Sequence, residues 1–281
     1  KGTIEMGGGT LTLEQGGSLG EGGELDLSNS TLELTGPFYN NKGKGTLTTS
    51  ASTLSLKSNV KFEPGNDVTF STYEPNGWGM VLHNDMDNSS ATTHLTLGTN
   101  GVDLLLQPNT EALTSGFVNY YSENGPEFSN DNHKIGIESH KVELTINGNL
   151  TLKDNATILG YEEDISLGNL TLENGEIASI LGTMSLAGGS VGENGMIYLA
   201  YMSNLDLQGD LTVAGALNLG HGSSLSLAGN TLDVSGGELG IQSPQKLDGI
   251  TTDNATTLKI NQWAQAFRTD NGTTTVGNLE M

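Results

Sequence analysis

The 281-residue chain has no cysteine, one arginine (Arg268), six prolines and an aromatic content of only 5%. Without cysteine there is no disulfide framework, and a chain of this length needs none. The lack also fits a bacterial chain that crosses an oxidising periplasm and has to stay unfolded on the way. Eleven basic residues stand against 33 acidic ones, a formal charge of −22. Phosphate neutralisation requires clustered Lys and Arg, so neither nucleic-acid binding nor attachment to an anionic membrane surface is supported. No apolar run approaches the roughly 20 residues of a spanning helix, and no direct membrane insertion is expected of this segment. No signal peptide is visible and the chain starts at Lys1. The expectation is a processed or excised piece of a longer protein. No convincing amphipathic helix is found, which argues against a doubly wound α/β fold.

What the chain does have is a recurring phrase: apolar, polar, apolar, most often Leu-x-Leu. From Leu205 to Ile241 the pairs are Leu205/Leu207, Leu211/Val213, Leu217/Leu219, Leu225/Leu227, Leu232/Val234 and Leu239/Ile241. Each pair is a strand of period two with two side chains facing inward. Gly, Asn and Ser fill the gaps, and those residues make sharp turns. Three strands and three turns use about twenty residues, which winds the chain into a three-sided coil that stacks on its neighbour. The predicted fold is all-β: a right-handed parallel β-helix, or β-solenoid, with three short strands and about 20 residues per coil. An antiparallel sandwich also uses short alternating strands, but its strands start every 8–12 residues or so.

The rhythm divides the chain into four parts. Residues 1–72 repeat with an offset of 21, as from Ile4 to Leu25 and from Leu47 to Val68. Within them the loop Gly36–Gly45 breaks the pattern and is expected to leave the coil body. Residues 73–140 hold Tyr73, Trp78, Phe117, Tyr120, Tyr121 and Phe128 and four of the five histidines, and read as coils carrying long excursions. Residues 141–242 return to regular solenoid; Gly148-Asn149-Leu150-Thr151-Leu152 recurs as Gly168-Asn169-Leu170-Thr171-Leu172. Residues 243–281 lose the rhythm after Pro244 and are expected to form an irregular end, a cap or a continuation into further repeats.

Candidate chemistry is sparse. Gly220-His221-Gly222 resembles a tripeptide of polygalacturonases, but the paired Asp and the Arg-x-Lys of that family are missing, so His221 reads as a solvated turn. Asp85 and Asp87, in Asn84-Asp85-Met86-Asp87-Asn88, bring oxygen ligands together as calcium loops do. The Gly and distal Glu of an EF-hand are missing, so a polar loop without a cofactor is expected, with structural calcium as the alternative. No nucleophile triad, P-loop or dinucleotide fingerprint occurs. Tyr73, Trp78, Tyr120 and Tyr121 offer an aromatic platform for a glycan or protein, the alternative being that they pack the excursion onto the coils.

The Gly-Asn-Leu-Thr-Leu phrases, the 20-residue coil, the missing Cys and the scarce Lys and Arg together resemble passenger domains of bacterial autotransporters and filamentous-haemagglutinin-like exoproteins. The resemblance covers residues 1–72 and 141–242. It implies secretion to the bacterial cell surface and a non-enzymatic role as adhesin or structural stalk. The partner would be a glycan or protein of a host or neighbouring cell, or another copy of the chain. Two alternatives stand beside it: a self-assembling extracellular filament or sheath subunit, and a carbohydrate-active, tailspike-like β-helix.

Overall fold

The computed structural model describes residues 2–40, 43–76, 78–82, 92–98, 104–106, 134–137, 142–153, 156–162, 164–242, 250–260 and 277–280. These residues form strands and turns with no α-helix, and the strand pairs are parallel, stacked as a β-solenoid with a repeat of roughly 21 residues. Two compact units are distinguished, Lys1–Gly148 and Asn149–Met281.

In the first unit the Leu-x-Leu phrases fall into columns. Strands Thr3–Glu5, Glu24–Asp26 and Thr46–Thr48 stack with Ile4 over Leu25 and Leu25 over Leu47. Strands Gly9–Leu13, Ser30–Leu34 and Ser52–Leu56 form a second column, with Leu11, Leu32 and Leu54 in register. A third column runs through Gly17–Ser18, Phe38–Tyr39, Val60–Glu63, Met80–Leu82 and Lys134–Ile137. Strand alternation sends Leu32 and Leu34 into the core, while Thr31 and Glu33 stay half-exposed. The loop Gly36–Gly45 does not leave the body as a whole. Phe38 and Tyr39 form a strand of the third column, and Phe38 is buried and stacks on Phe62 at 5.6 Å, itself 6.1 Å from Phe70. Burial of a ring of this size outweighs the irregular spacing that Pro37 and the glycines suggest.

In the second unit one column holds seven strands: Ala156–Tyr161, Ile165–Ile180, Gly189–Tyr201, Ala216–His221, Glu238–Ile241, Thr257–Ile260 and Asn278–Glu280. The rhythm therefore persists beyond Pro244, since Leu239 aligns with Leu258 and Leu258 with Leu279. Of the two, Leu279 carries the Gly-Asn punctuation of the earlier phrases, in Gly277-Asn278-Leu279, and Leu258, after Thr256-Thr257, does not. Residues 261–276, within the stretch expected to be irregular, lie outside the described residues.

The core is built chiefly of inward Leu, Ile and Val side chains, joined by Phe38, Phe62, Phe70 and Met80. Leu27, Leu170, Leu172 and Leu207 are fully buried, as the alternation predicts. Leu227, expected to join them, is only half-buried. It lies just past strand Ser224–Ser226, which stacks on Asn204–Leu207 and is the last described member of its column, so no described coil covers it. Along the exterior, parallel register sets outward residues of successive coils about 4.8 Å apart, where a column of carboxylates would repel itself. Hydroxyls and lysines interrupt that series. Thr3 Oγ1 donates to Glu24 Oε2 at 3.0 Å, and Lys259 reaches Glu238 at 2.8 Å and Glu280 at 3.8 Å.

Candidate functional site

The step between register partners, 18 to 24 residues elsewhere in the first unit, lengthens at one place. Val68 pairs with Leu95, a step of 27, and Leu95 pairs with Leu144, a step of 49. In the neighbouring column Met80 pairs with Ile135, a step of 55. The coil closes in register on both sides of the added chain. Parallel pairing requires only that each strand meet its copy, and loop closure becomes costlier by only about 0.6 kcal/mol per doubling of loop length.

Beside this coil lies a groove of about 540 Å3, lined by Thr46–Ala51, Asn66–Thr69 and Ser71. Six of its eleven lining residues are Thr or Ser, and Asn66 and Asp67 add an amide and a carboxylate. Strand Val68–Glu74 opens it by turning from one face of the coil to the next, with a register shift between Phe70 and Thr72. Ala51, at the groove's end, holds a left-handed backbone with φ 53°.

Asp67 extends the groove into a polar ladder across three coils. The Nδ1 of His94 lies 3.0 Å from Asp67 Oδ1, and its Nε2 lies 2.9 Å from Glu143 Oε2. The backbone N–H of His94 also donates to Asp67 Oδ1 at 2.9 Å. His94 and Glu143 are register partners, so the ladder follows from the stacking itself. The hydrogen bond to Asp67 is the main cause raising the His94 pKa above the usual histidine range; partial burial opposes it, and the charges of Glu143 and Asp67 reinforce it. In return the His94 side chain, then its backbone N–H, hold the Asp67 carboxyl below the usual carboxylate range.

This arrangement is a clamp rather than a base. With both ring nitrogens facing carboxylates, the favoured form is the imidazolium, a donor at each end with no lone pair free to accept a proton. The two carboxylates bind opposite nitrogens and do not converge on a point between them. Among the described residues no group of three or more His, Asp or Glu side chains is placed to hold a metal ion. The groove presents Thr and Ser side chains, while its Asn66 amide is engaged with the Leu47 backbone and its Asp67 carboxylate with His94.

The aromatic candidates do not lie together on a described surface. Tyr73 is buried, aligned with Leu54 of the preceding coil, and burial pushes its phenol pKa well up. Its strand position, inward by alternation, makes it a packing residue. Trp78 is half-buried in the turn after Glu74, where its backbone N–H donates to the Pro75 carbonyl at 2.8 Å. Tyr120, Tyr121, Asp85 and Asp87 lie outside the described residues. His221 ends strand Ala216–His221, is exposed and stacks on Tyr201. The Asp67–His94–Glu143 ladder was missed because its steps of 27 and 49 residues match no repeat length. The pair His94-Leu95 beside Asp67-Val68, each a polar residue before an inward one, was the available signal.

No family model matches this chain, and no curated protein or solved structure matches it.

Proposed function

We propose that this chain is a segment of an extracellular, surface-displayed adhesin or structural stalk from a bacterial cell surface, without catalysis of its own. The observation that carries the reading is the 55-residue step between Met80 and Ile135 in a column whose other steps stay near 20. A rigid stack that admits a long insertion at one coil, and closes again in register, is a scaffold for presenting that insertion. Loops held by such scaffolds are where recognition concentrates. Outside the corner at Leu181, Tyr201 and Met202, the exterior of the regular coils is mostly Thr, Ser, Asn and acidic residues, well solvated and poor in anchors, whereas the inserted stretch contains Tyr120 and Tyr121, with Trp78 at its entry. The −22 charge keeps a long β structure soluble by self-repulsion. A surface glycan or protein of another cell is the partner this favours.

The test is Trp78→Ala with Tyr121→Ala in the chain displayed on a bacterial surface. Adhesion to host cells, or binding to an immobilised glycan panel, is expected to fall while the β-type circular dichroism and melting temperature stay unchanged. Full adhesion by this double variant, with loss on trimming regular coils instead, would place recognition on the coil faces.

A further inference from the structure

The corner that follows strand Ala156–Tyr161 and its copies in the second unit is built in a way that folding does not require. At this corner the chain takes a left-handed turn residue in four successive coils: Glu162 (φ 58°), Leu181 (φ 61°), Met202 (φ 48°) and Gly222 (φ 72°). They align through backbone bonds, Glu162 N–H to Ile180 O, Leu181 N–H to Tyr201 O and Met202 N–H to His221 O. Glycine suits such a position, and Gly222 occupies it in one coil. A leucine there costs about 1–2 kcal/mol relative to ordinary helical or extended backbone.

The same residues stand in water. Leu181 is 38% exposed, Met202 54% and Tyr201 42%. The other large apolar side chains exposed among the described residues, Ile4 and Leu279, lie on the outermost described strands. Tyr201 and the exposed His221 stack at 5.6 Å and 22°, presenting a second ring beside the apolar pair. Tyr161 adds a half-buried phenol at the far side. Strain outside the core, together with apolar exposure in a chain this polar, points to a contact surface.

Charge says what fits it. Glu162 belongs to the corner column, Asp164 precedes the strand Ile165–Ile180 that leaves it, and Asp206 lies in strand Asn204–Leu207. Among the described residues of this unit the lysines are Lys153 and Lys259, each ion-paired with glutamate, to Glu173 at 2.8 Å and to Glu238 at 2.8 Å. The ridge is therefore apolar and aromatic with an anionic border. A second copy of a chain with charge −22 is repelled from it. We infer that the Leu181–Tyr201–Met202–His221 ridge docks a basic polypeptide segment, one that places apolar side chains on the ridge and Lys or Arg against its acidic border. This surface is independent of the insertion-bearing coil invoked above.

The experiment uses the whole chain and three synthetic twelve-residue amidated peptides: alternating Leu and Lys, alternating Ser and Lys, and alternating Leu and Glu. Leu181→Asn with Met202→Gly is the comparison variant. Both new residues accept the left-handed backbone, so the fold is retained or gains stability, which circular dichroism and melting confirm. The Leu/Lys peptide is expected to bind wild type at least about tenfold more tightly than the variant, a change of about 1.4 kcal/mol. The Ser/Lys peptide should bind both proteins alike, and the Leu/Glu peptide neither. Equal binding of the Leu/Lys peptide to both proteins would overturn the assignment. So would self-association in sedimentation, or glycan-array binding, that the variant abolishes, since those name a second copy or a sugar as the occupant.

Discussion

Asn66 pairs with Leu47 as though its side chain were a strand. Its Nδ2 donates to the Leu47 carbonyl at 3.0 Å, and its Oδ1 accepts from the Leu47 N–H at 2.9 Å. A primary amide carries the same donor and acceptor as a peptide unit, so it can satisfy a strand edge where the next backbone has turned away. Asn40, fully buried, makes a similar repair nearby. Its Nδ2 donates to Pro64 O at 2.7 Å, and its Oδ1 accepts from the Gly45 N–H at 2.9 Å. These two amides hold the wall of the groove.

Asn40→Asp and Asn66→Asp keep shape and acceptors but lose the donors, setting a carboxylate against carbonyl oxygens. Each is expected to destabilise by about 1–3 kcal/mol or more, with Asn40→Asp the worse because it buries a charge. Urea unfolding of the two variants measures this. Wild-type midpoints for both would show that the amides do not serve as backbone partners.

Leu170→Ala, in the fully buried column, should cost about 2–5 kcal/mol through lost burial and the cavity left behind. Leu170→Asp should cost more, because the unpaired carboxylate has no partner inside. Thermal melting separates the two, and an unchanged melting temperature for the Asp variant would contradict the inward placement.

The Asp67–His94–Glu143 clamp predicts a pH window. The raised His94 pKa means its contribution is fully present below the unfolded histidine value, about 6.5, and is lost as pH rises through the higher folded value. The lowered Asp67 pKa means its contribution is present above about 3.9 and is lost as pH falls through the lower folded value. The clamp should therefore hold best between about pH 4 and 6.5. His94 is 48% exposed, so solvent screening keeps the effect small. The melting-temperature difference between pH 5.5 and pH 9 should be smaller in His94→Gln than in wild type. Identical differences would remove the clamp.

Backbone positions give a pair of opposite expectations. Gly189 has φ +133°, and a Cβ there would sit 2.0 Å from the Leu170 carbonyl oxygen. Gly189→Ala must displace a paired strand and should lower the melting temperature sharply. Ala228 holds a left-handed backbone with φ 50°, so Ala228→Gly should stabilise by on the order of 1 kcal/mol. Calorimetry of both variants reads the two signs directly.

The alternation of Leu-x-Leu with Gly, Asn and Ser determined the strands, their inward faces and the parallel stacking, because strand period and coil length are local quantities. Leu207, Leu170 and Leu27 were legible for that reason. The gathering of aromatics and histidines in residues 73–140 is also visible in the sequence, and the long steps from Met80 to Ile135 and from Leu95 to Leu144 span that stretch. Position along the stack was not legible. Phe38 reads as loop until Phe62 is seen beneath it, and Leu227 reads as core until its column is followed to the last described strand. The same limit hid the candidate sites. Asp67, His94 and Glu143 meet only because an insertion of otherwise arbitrary length closes in register. Leu181, Tyr201, Met202 and His221 form one ridge because four turns of slightly unequal length bring their corners into line. Composition and period set what kind of surface this chain makes. Which side chains share it was decided by the stacking of coils, whose contacts lie about twenty or more residues apart in the chain and leave no mark within any short stretch of it.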